Sequence, residues 1–265
     1  MPQDVLVVTG GASGIGLACA IAMAGDHGAV ALLDQNSDGL ETAAKDPAFG
    51  DCPVHTFQCD VSDAAAMVGL ANRIEADIGP VRTVITSAGI LHNPATVLDM
   101  DLEEHHRVWD VNYNGTLYTI RAFAPAMTER GAGAIVTLGS INSFAALPLP
   151  AYCPSKAAIM RLTEMLSVEL GRKGVRINGV APTYVLTPAL KAKIASGHRD
   201  ENLIRKAGAL DMFVYPAHIA SVVSFLCSDA AAAVTGVMLP VDAGWQAATT
   251  FNTFVGGVPW DEADR

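Results

Sequence analysis

Thr9-Gly10-Gly11-Ala12-Ser13-Gly14-Ile15-Gly16 follows the apolar run Val5-Leu6-Val7-Val8 and opens a helix-length stretch. Glycines belong where a chain turns tightly and where backbone must approach a pyrophosphate with no Cβ in the way. A following helix aims free N–H groups and the positive end of its dipole at the phosphates. A glycine cluster alone could be a plain tight turn. Its place between strand and helix makes it a phosphate-binding turn, built from Gly10, Ser13, Gly14, Ile15 and Gly16.

Outward from this turn, short β-branched runs alternate with alanine-rich amphipathic stretches. The runs are Val5–Val8, Ala29–Leu33, Val54–Gln58, Thr83–Thr86, Ala134–Leu138, Val175–Val180 and Val237–Val241. They read as strands buried on both faces. Helix-length segments near 14–26, 38–46, 62–78, 101–129, 152–171 and 217–228 lie between them. This alternation predicts an α/β fold, a single-domain Rossmann-like doubly wound parallel sheet of strand order 3-2-1-4-5-6-7, over residues 1–244. Ligands are expected off the carboxyl ends of the strands.

Bulk properties exclude several classes. With 265 residues, 51% of them hydrophobic, the chain can bury one large core. A net charge of −10 repels phosphate backbones and anionic lipid, so no nucleic acid partner is expected. No apolar run approaches the roughly 18 residues of a membrane span, and no signal peptide is expected. Five cysteines without paired short spacing read as reduced thiols in a cytoplasmic protein. Seven scattered histidines form no metal-ligand pattern, so no metal is expected.

The second strand ends in Asp34, eighteen residues beyond Gly16. A carboxylate there accepts hydrogen bonds from the adenosine ribose hydroxyls of NAD and repels the extra phosphate of NADP. No Arg or Lys lies in the glycine turn or between Asp34 and Lys45 to compensate. The expected cofactor is therefore NAD. Asp60-Val61 ends the third strand and could face the adenine, or Asp60 could be a turn residue.

Tyr152-Cys153-Pro154-Ser155-Lys156 opens a helix, with Pro154 tolerable in the first turn. Tyr152 and Lys156 share one helical face, so a fixed ammonium is expected to favour the phenolate of a side chain otherwise too weakly acidic for neutral pH. The pair alone is a weak signal. Ser140, at the end of the fifth strand, supplies a hydroxyl that can steady a reacting oxygen as charge develops, with Ser143 as the fallback.

Together, Thr9-Gly10-x-x-x-Gly14-x-Gly16, Asp34, Asp60, Ser140 and Tyr152-x-x-x-Lys156 resemble the short-chain dehydrogenase/reductase family, from residue 4 to about Gly244. The resemblance implies that Tyr152 is the general acid/base, that Lys156 lowers its pKa and holds the nicotinamide ribose, and that Ser140 orients the substrate oxygen. It implies that Asn112 supports a water–lysine proton relay; a helix-kink role is the other reading. Ser87, Ala88, Gly89, Val185 and Thr187 would contact the cofactor, and hydride would go to the nicotinamide B-face. It also implies a homotetramer joined through 101–129 and 152–171. The sequence departs from the family at Thr86-Ser87, where two asparagines are usual, at Thr183 and Ala243, where glycines are usual, and in the serine standing one residue closer to the tyrosine.

The expected activity is NAD-dependent interconversion of a secondary alcohol, such as a sugar or polyol, and its ketone. Alternatives are a 3-oxoacyl thioester or a steroid or cyclic ketone reductase, a nucleotide-sensing protein without turnover, and an epimerase or dehydratase of the related extended group. Candidate substrate contacts are His92, Asn142, Phe144, Leu149, Tyr184 and Leu190. His92 could equally be solvated. Residues 183–215 exceed a usual loop and suggest a helical lid at about 187–213, or a surface helical pair with no such role. The tail 245–265, with Trp245, Phe251, Phe254 and Trp260, is expected at a subunit interface or pocket mouth, or against its own domain.

Overall fold

A computed structural model of the chain describes residues 4–92 and 94–257. Its strands are β1 (Val5–Thr9), β2 (Ala29–Asp34), β3 (Val54–Gln58), β4 (Val81–Thr86), β5 (Gly133–Leu138), β6 (Val175–Pro182) and β7 (Met238–Val241). All pair in parallel, in the order β3-β2-β1-β4-β5-β6-β7. The order reverses between β1 and β4, where Thr9 stands beside Thr86 at the carboxyl edge. Loops leaving these two strands diverge there and open a crevice.

The helices are α1 (Gly14–Met23), α2 (Ser37–Ala43), α3 (Ala64–Asp77), α4 (Leu102–Trp109), α5 (Gly115–Arg130), α6 (Tyr152–Gly171), α7 (Pro188–Ala195), α8 (Glu201–Arg205), α9 (Pro216–Cys227) and α10 (Trp245–Asn252). Alternation along β1 sorts them into two layers. Leu6 and Val8 bury against Cys19 and Ala20 of α1 and Ile219 and Val223 of α9. Val5 and Val7 face Met67 and Ile74 of α3 and Phe123 and Met127 of α5. Both faces of the central strands are thus apolar. β3 and β7, as sheet edges, are only partly buried, so the expectation of two buried faces fails at these two strands.

The segment expected as one helix over 101–129 is α4 and α5 joined by a π-helical turn, Asp110–Asn114. Insertion of a π turn widens the helix at Asn112. Residues 187–213 carry α7 and α8, and both ends are pinned. Val185 bridges Val214, and Leu186 N–H donates to the Val214 carbonyl at 2.8 Å. Trp245 opens α10 and is buried. The chain just before it is tied to the same segment by Leu210 N–H donating to the Ala243 carbonyl at 3.0 Å. Phe251 and Phe254 stand exposed, and Trp260 lies outside the described residues.

Among the described residues, Ala243 is the non-glycine residue with positive φ, at +52°. Left-handed backbone costs an L-residue about 1–2 kcal/mol. Ala243→Gly is therefore expected to stabilise the fold by about 1 kcal/mol, after the entropy that glycine loses on folding. Calorimetry would read a Tm rise of about 2–4 °C; an unchanged or lower Tm would contradict the strain.

Candidate active site

The crevice at the strand switch is a groove of about 390 Å³, lined by Gly10, Ser13, Gly14 and Ile15 at one end and by Asp34, Gln35, Cys59 and Val61 at the other. Gly10 sits at φ +67°, and a Cβ there would lie 2.8 Å from the Ala88 nitrogen. A side chain at Gly16 would strike the Gly10 carbonyl oxygen. Gly16 therefore serves the fit of helix to turn rather than lining the groove. Ser13 makes no cap hydrogen bond to α1 and is exposed in the groove. Helix α1 points its N-terminus at this space, a suitable seat for a pyrophosphate.

Asp34 closes β2. One of its oxygens accepts Ala12 N–H at 3.1 Å and the other accepts Asn36 N–H at 3.0 Å. A carboxylate has about four acceptor positions, so both oxygens keep capacity for a ribose diol. Asp60 does otherwise. Its Oδ1 accepts the Ser62 hydroxyl at 2.7 Å and the Ser62 N–H at 2.9 Å, and it does not line the groove. The Ser62 hydrogen bond, with a smaller contribution from Arg107, holds its carboxyl below the usual range. Asp60 thus makes a turn through Oδ1, while Val61 beside it lines the groove. Arg107 of α4 also lines it, a cation that local spacing around Asp34 could not reveal.

Ser87 and Gly89 form the wall shared with a second cavity of about 560 Å³. Ala88 belongs to the groove side, where its N–H donates to Thr9 Oγ1 at 3.3 Å. Thr86 Oγ1 is buried without a partner among the described residues, so it does not rebuild the tie that an asparagine would make. Ser140, Tyr152 and Lys156 converge on the second cavity. The Ser140 hydroxyl lies close enough to the Tyr152 phenol to favour its ionised form. Ser140 Oγ donates to Asn142 Oδ1 at 3.1 Å, and Asn142 Nδ2 donates to Cys153 Sγ at 3.2 Å. Asn142, expected as a substrate contact, thus also positions the serine. Ser143 cannot replace Ser140, because its hydroxyl donates to the Lys156 carbonyl at 2.8 Å.

Lys156 Nζ donates to the Leu138 carbonyl, the last of β5, at 2.7 Å. A Cβ on Gly89 would sit 3.6 Å from this ammonium and 3.3 Å from Asn112 Oδ1. Asn112 itself brackets Ile90: Oδ1 accepts Ile90 N–H at 2.8 Å and Nδ2 donates to its carbonyl at 3.0 Å. The asparagine therefore splints the loop after β4 from inside the π turn. Burial pushes the Tyr152 phenol up, opposed by the Ser140 hydroxyl, and burial pushes the Lys156 ammonium down to about 8. The expected lowering of the tyrosine by the lysine is not the dominant effect. Nζ lies 5.6 Å from the phenol ring centroid, and desolvation outweighs it.

Leu149, Tyr184, Val185 and Leu190 line the cavity, as does Thr187 on both sides of the wall. The Thr187 hydroxyl caps α7 by accepting Leu190 N–H at 3.3 Å. Thr183, where the family has glycine, lines the cavity too, and its buried hydroxyl has no partner among the described residues. Two candidate contacts stand elsewhere. Phe144 is 45% exposed, because the short turn Ile141–Ser143 directs the next side chain outward. His92 is 6% exposed and neither solvated nor a cavity wall. Its Nε2 accepts the N–H groups of Ala151 and Tyr152, each at 3.3 Å. It caps the helix that carries the tyrosine, a role with no local signal because the partners lie about sixty residues apart. Among the described residues, no group of three His, Cys, Asp or Glu could hold a metal ion, and no helix is long and apolar enough to cross a membrane.

Removing the His92 acceptor leaves two buried N–H groups at a helix start. His92→Phe is expected to cost about 1–2 kcal/mol, measured by urea unfolding. A loss within a few tenths of a kcal/mol of zero would show that the cap is unimportant.

A family model described as enoyl-(acyl carrier protein) reductase matches residues 10–246. D-threitol dehydrogenase of Mycolicibacterium smegmatis is 37% identical, over 91% of this chain and 92% of its own. Galactitol 2-dehydrogenase of Rhizobium johnstonii is 36% identical, over 90% and 93%. The crystal structure of an NAD+-bound xylitol dehydrogenase superposes with a TM-score of 0.84 at 27% identity, covering 92% of this chain and 99% of that one. With the glycine turn, the switch crevice and the Ser140–Tyr152–Lys156 cluster in one fold, the chain belongs to the short-chain dehydrogenase/reductase family.

Proposed function

We propose that the protein is an NAD-dependent dehydrogenase of polyols or similar secondary alcohols. The observation that carries this reading is the shared wall at Ser87 and Gly89. It sets a dinucleotide groove directly against a cavity in which Ser140, Tyr152 and Lys156 converge. Relatives named for threitol, galactitol and xylitol support the alcohol class.

Gly10, Gly14 and Ser13 would hold the pyrophosphate and Asp34 the adenosine ribose. Val185 and Thr187, at the cavity, would hold the nicotinamide end. Bound there, the cofactor would supply a hydride acceptor for the carbinol carbon. Tyr152, deprotonated, takes the hydroxyl proton as the C–O bond becomes a carbonyl, and Ser140 donates a hydrogen bond to that oxygen. Lys156 stabilises the phenolate, and Asn112 steadies the loop facing it. The reverse direction returns the proton from Tyr152 to the ketone oxygen. Segment 187–213 acts as the substrate lid. The enzyme works as a cytoplasmic homotetramer, a reading supported by its free cysteines and by exposed Met165 and Val168 on the long helix α6.

Tyr152→Phe is expected to lower kcat for polyol oxidation by about 10³-fold or more while NAD binding, read by calorimetric titration, stays close to wild type. Near-normal turnover would remove Tyr152 from the mechanism. Because burial raises the phenol, its base form grows with pH, so kcat/KM for oxidation should rise from about pH 7 to about pH 9. Ketone reduction, which uses the acid form, should stay nearly flat over the same range, because a phenol raised above its ordinary value of about 10 remains protonated there. An oxidation rate that declines across it would contradict the assignment.

NAD should be preferred over NADP, and Asp34→Ala should narrow the gap by about tenfold or more as the repelling charge is lost. Equal use of both cofactors by the wild type would overturn the NAD reading.

A further inference from the structure

Lys193, in the last turn of α7, and Arg199, beyond it, line the 560 Å³ cavity. Both are half-buried, whereas Lys191, two residues from Lys193 on the same helix, is exposed. Among the described residues neither Lys193 nor Arg199 has a carboxylate within ion-pair distance. With Lys156 they make three cations around a cavity whose lining contains no Asp or Glu. The chain as a whole carries 27 acidic and 17 basic residues. A cavity with the opposite balance is a local reversal of the protein's field, and such reversals concentrate anions.

Local duties do not exhaust these side chains. Lys193 complements the negative end of α7, and Arg199 Nη1 donates to the His198 carbonyl at 2.9 Å. Each duty could be met from a solvent-facing position. Both charges instead bear on the cavity, and the remaining guanidinium donors are suited to a fork of acceptor oxygens.

Resting on the alcohol dehydrogenase reading, we propose that the substrate is a hydroxylated anion. It is a secondary alcohol whose far end carries a carboxylate or phosphate, clamped by Lys193 and Arg199 while the reacting hydroxyl meets Ser140 and Tyr152. The clamp would fix which carbon reaches Tyr152, since a neutral polyol can enter in either direction and an anion-tagged one cannot.

The test compares kcat/KM for neutral four- and six-carbon polyols, the matching aldonates and the matching polyol monophosphates. Wild type is expected to prefer one anionic series by about tenfold or more. Whether the aldonates or the monophosphates gain the preference identifies the anion. In Lys193→Ala/Arg199→Ala the ratio of anionic to neutral kcat/KM should fall toward one, mainly through KM. Arg199→Lys should keep most of it, which separates charge from folding. A wild type that prefers neutral polyols overturns the clamp and leaves the dehydrogenase reading intact. A double variant whose loss appears in NAD affinity also overturns it, by assigning the cations to the cofactor. If no polyol, aldonate or monophosphate is oxidised, the dehydrogenase reading fails. Calorimetric titration of the NAD-loaded protein with the aldonates and monophosphates then decides the clamp. Binding that the double variant abolishes supports it, and absence of binding by wild type overturns it.

Discussion

A buried ammonium bonded to the last carbonyl of a strand holds this site together. Lys156 Nζ meets the Leu138 carbonyl at 2.7 Å, and the lysine is buried. That contact docks the first turns of α6 onto the carboxyl edge of β5. In consequence Tyr152, one turn earlier, lines the same cavity as Ser140, two residues past Leu138. Desolvating a lysine is costly, as its fall to about 8 records. Folds keep such costs where geometry is needed. The start of α6 is held from a second side by His92, which accepts the N–H of Tyr152 itself.

The second constraint is topological. Only at the β1–β4 reversal do neighbouring loops part, and that is where the glycine turn and the Ser87–Gly89 loop stand. The π turn supports the same place from behind, since Asn112 brackets Ile90 while the Asn112 carbonyl accepts the Thr116 hydroxyl at 2.7 Å. Groove and cavity therefore share one thin wall. A hydride acceptor and a proton acceptor can approach the same carbon across it, which is the arrangement the proposed chemistry needs.

Most of the architecture was legible because its cause is local. Continuous apolar runs mark central strands, and Gly10 and Gly16 mark a turn in which side chains do not fit. What escaped depends on partners far along the chain. The exposure of β3 and β7 follows from strand order, which gives them only one neighbour. Helical spacing brought Tyr152 and Lys156 to one face. It carried no information on desolvation, so the phenol is pushed up where a lowered pKa was expected. His92 reads as a loop histidine until α6 is seen starting on it. Phe144 reads as a pocket residue until the Ile141–Ser143 turn is seen to swing it outward. Asp60 was readable in two ways, and its Oδ1 takes the turn role through Ser62. Lys193 and Arg199 lie in a segment whose length suggested a helical lid but not the wall they face.

Redox at carbon in this fold requires the nicotinamide ring and the Tyr152 hydroxyl to flank one substrate atom. The direct measurement is a crystal structure with NAD bound, read as the distance from nicotinamide C4 to Tyr152 Oη. A ring lying against the Ser87–Gly89 wall with C4 within about 6 Å of Oη is the expected result. A nicotinamide seated well away from Tyr152, with the dinucleotide otherwise in its groove, would contradict the central claim.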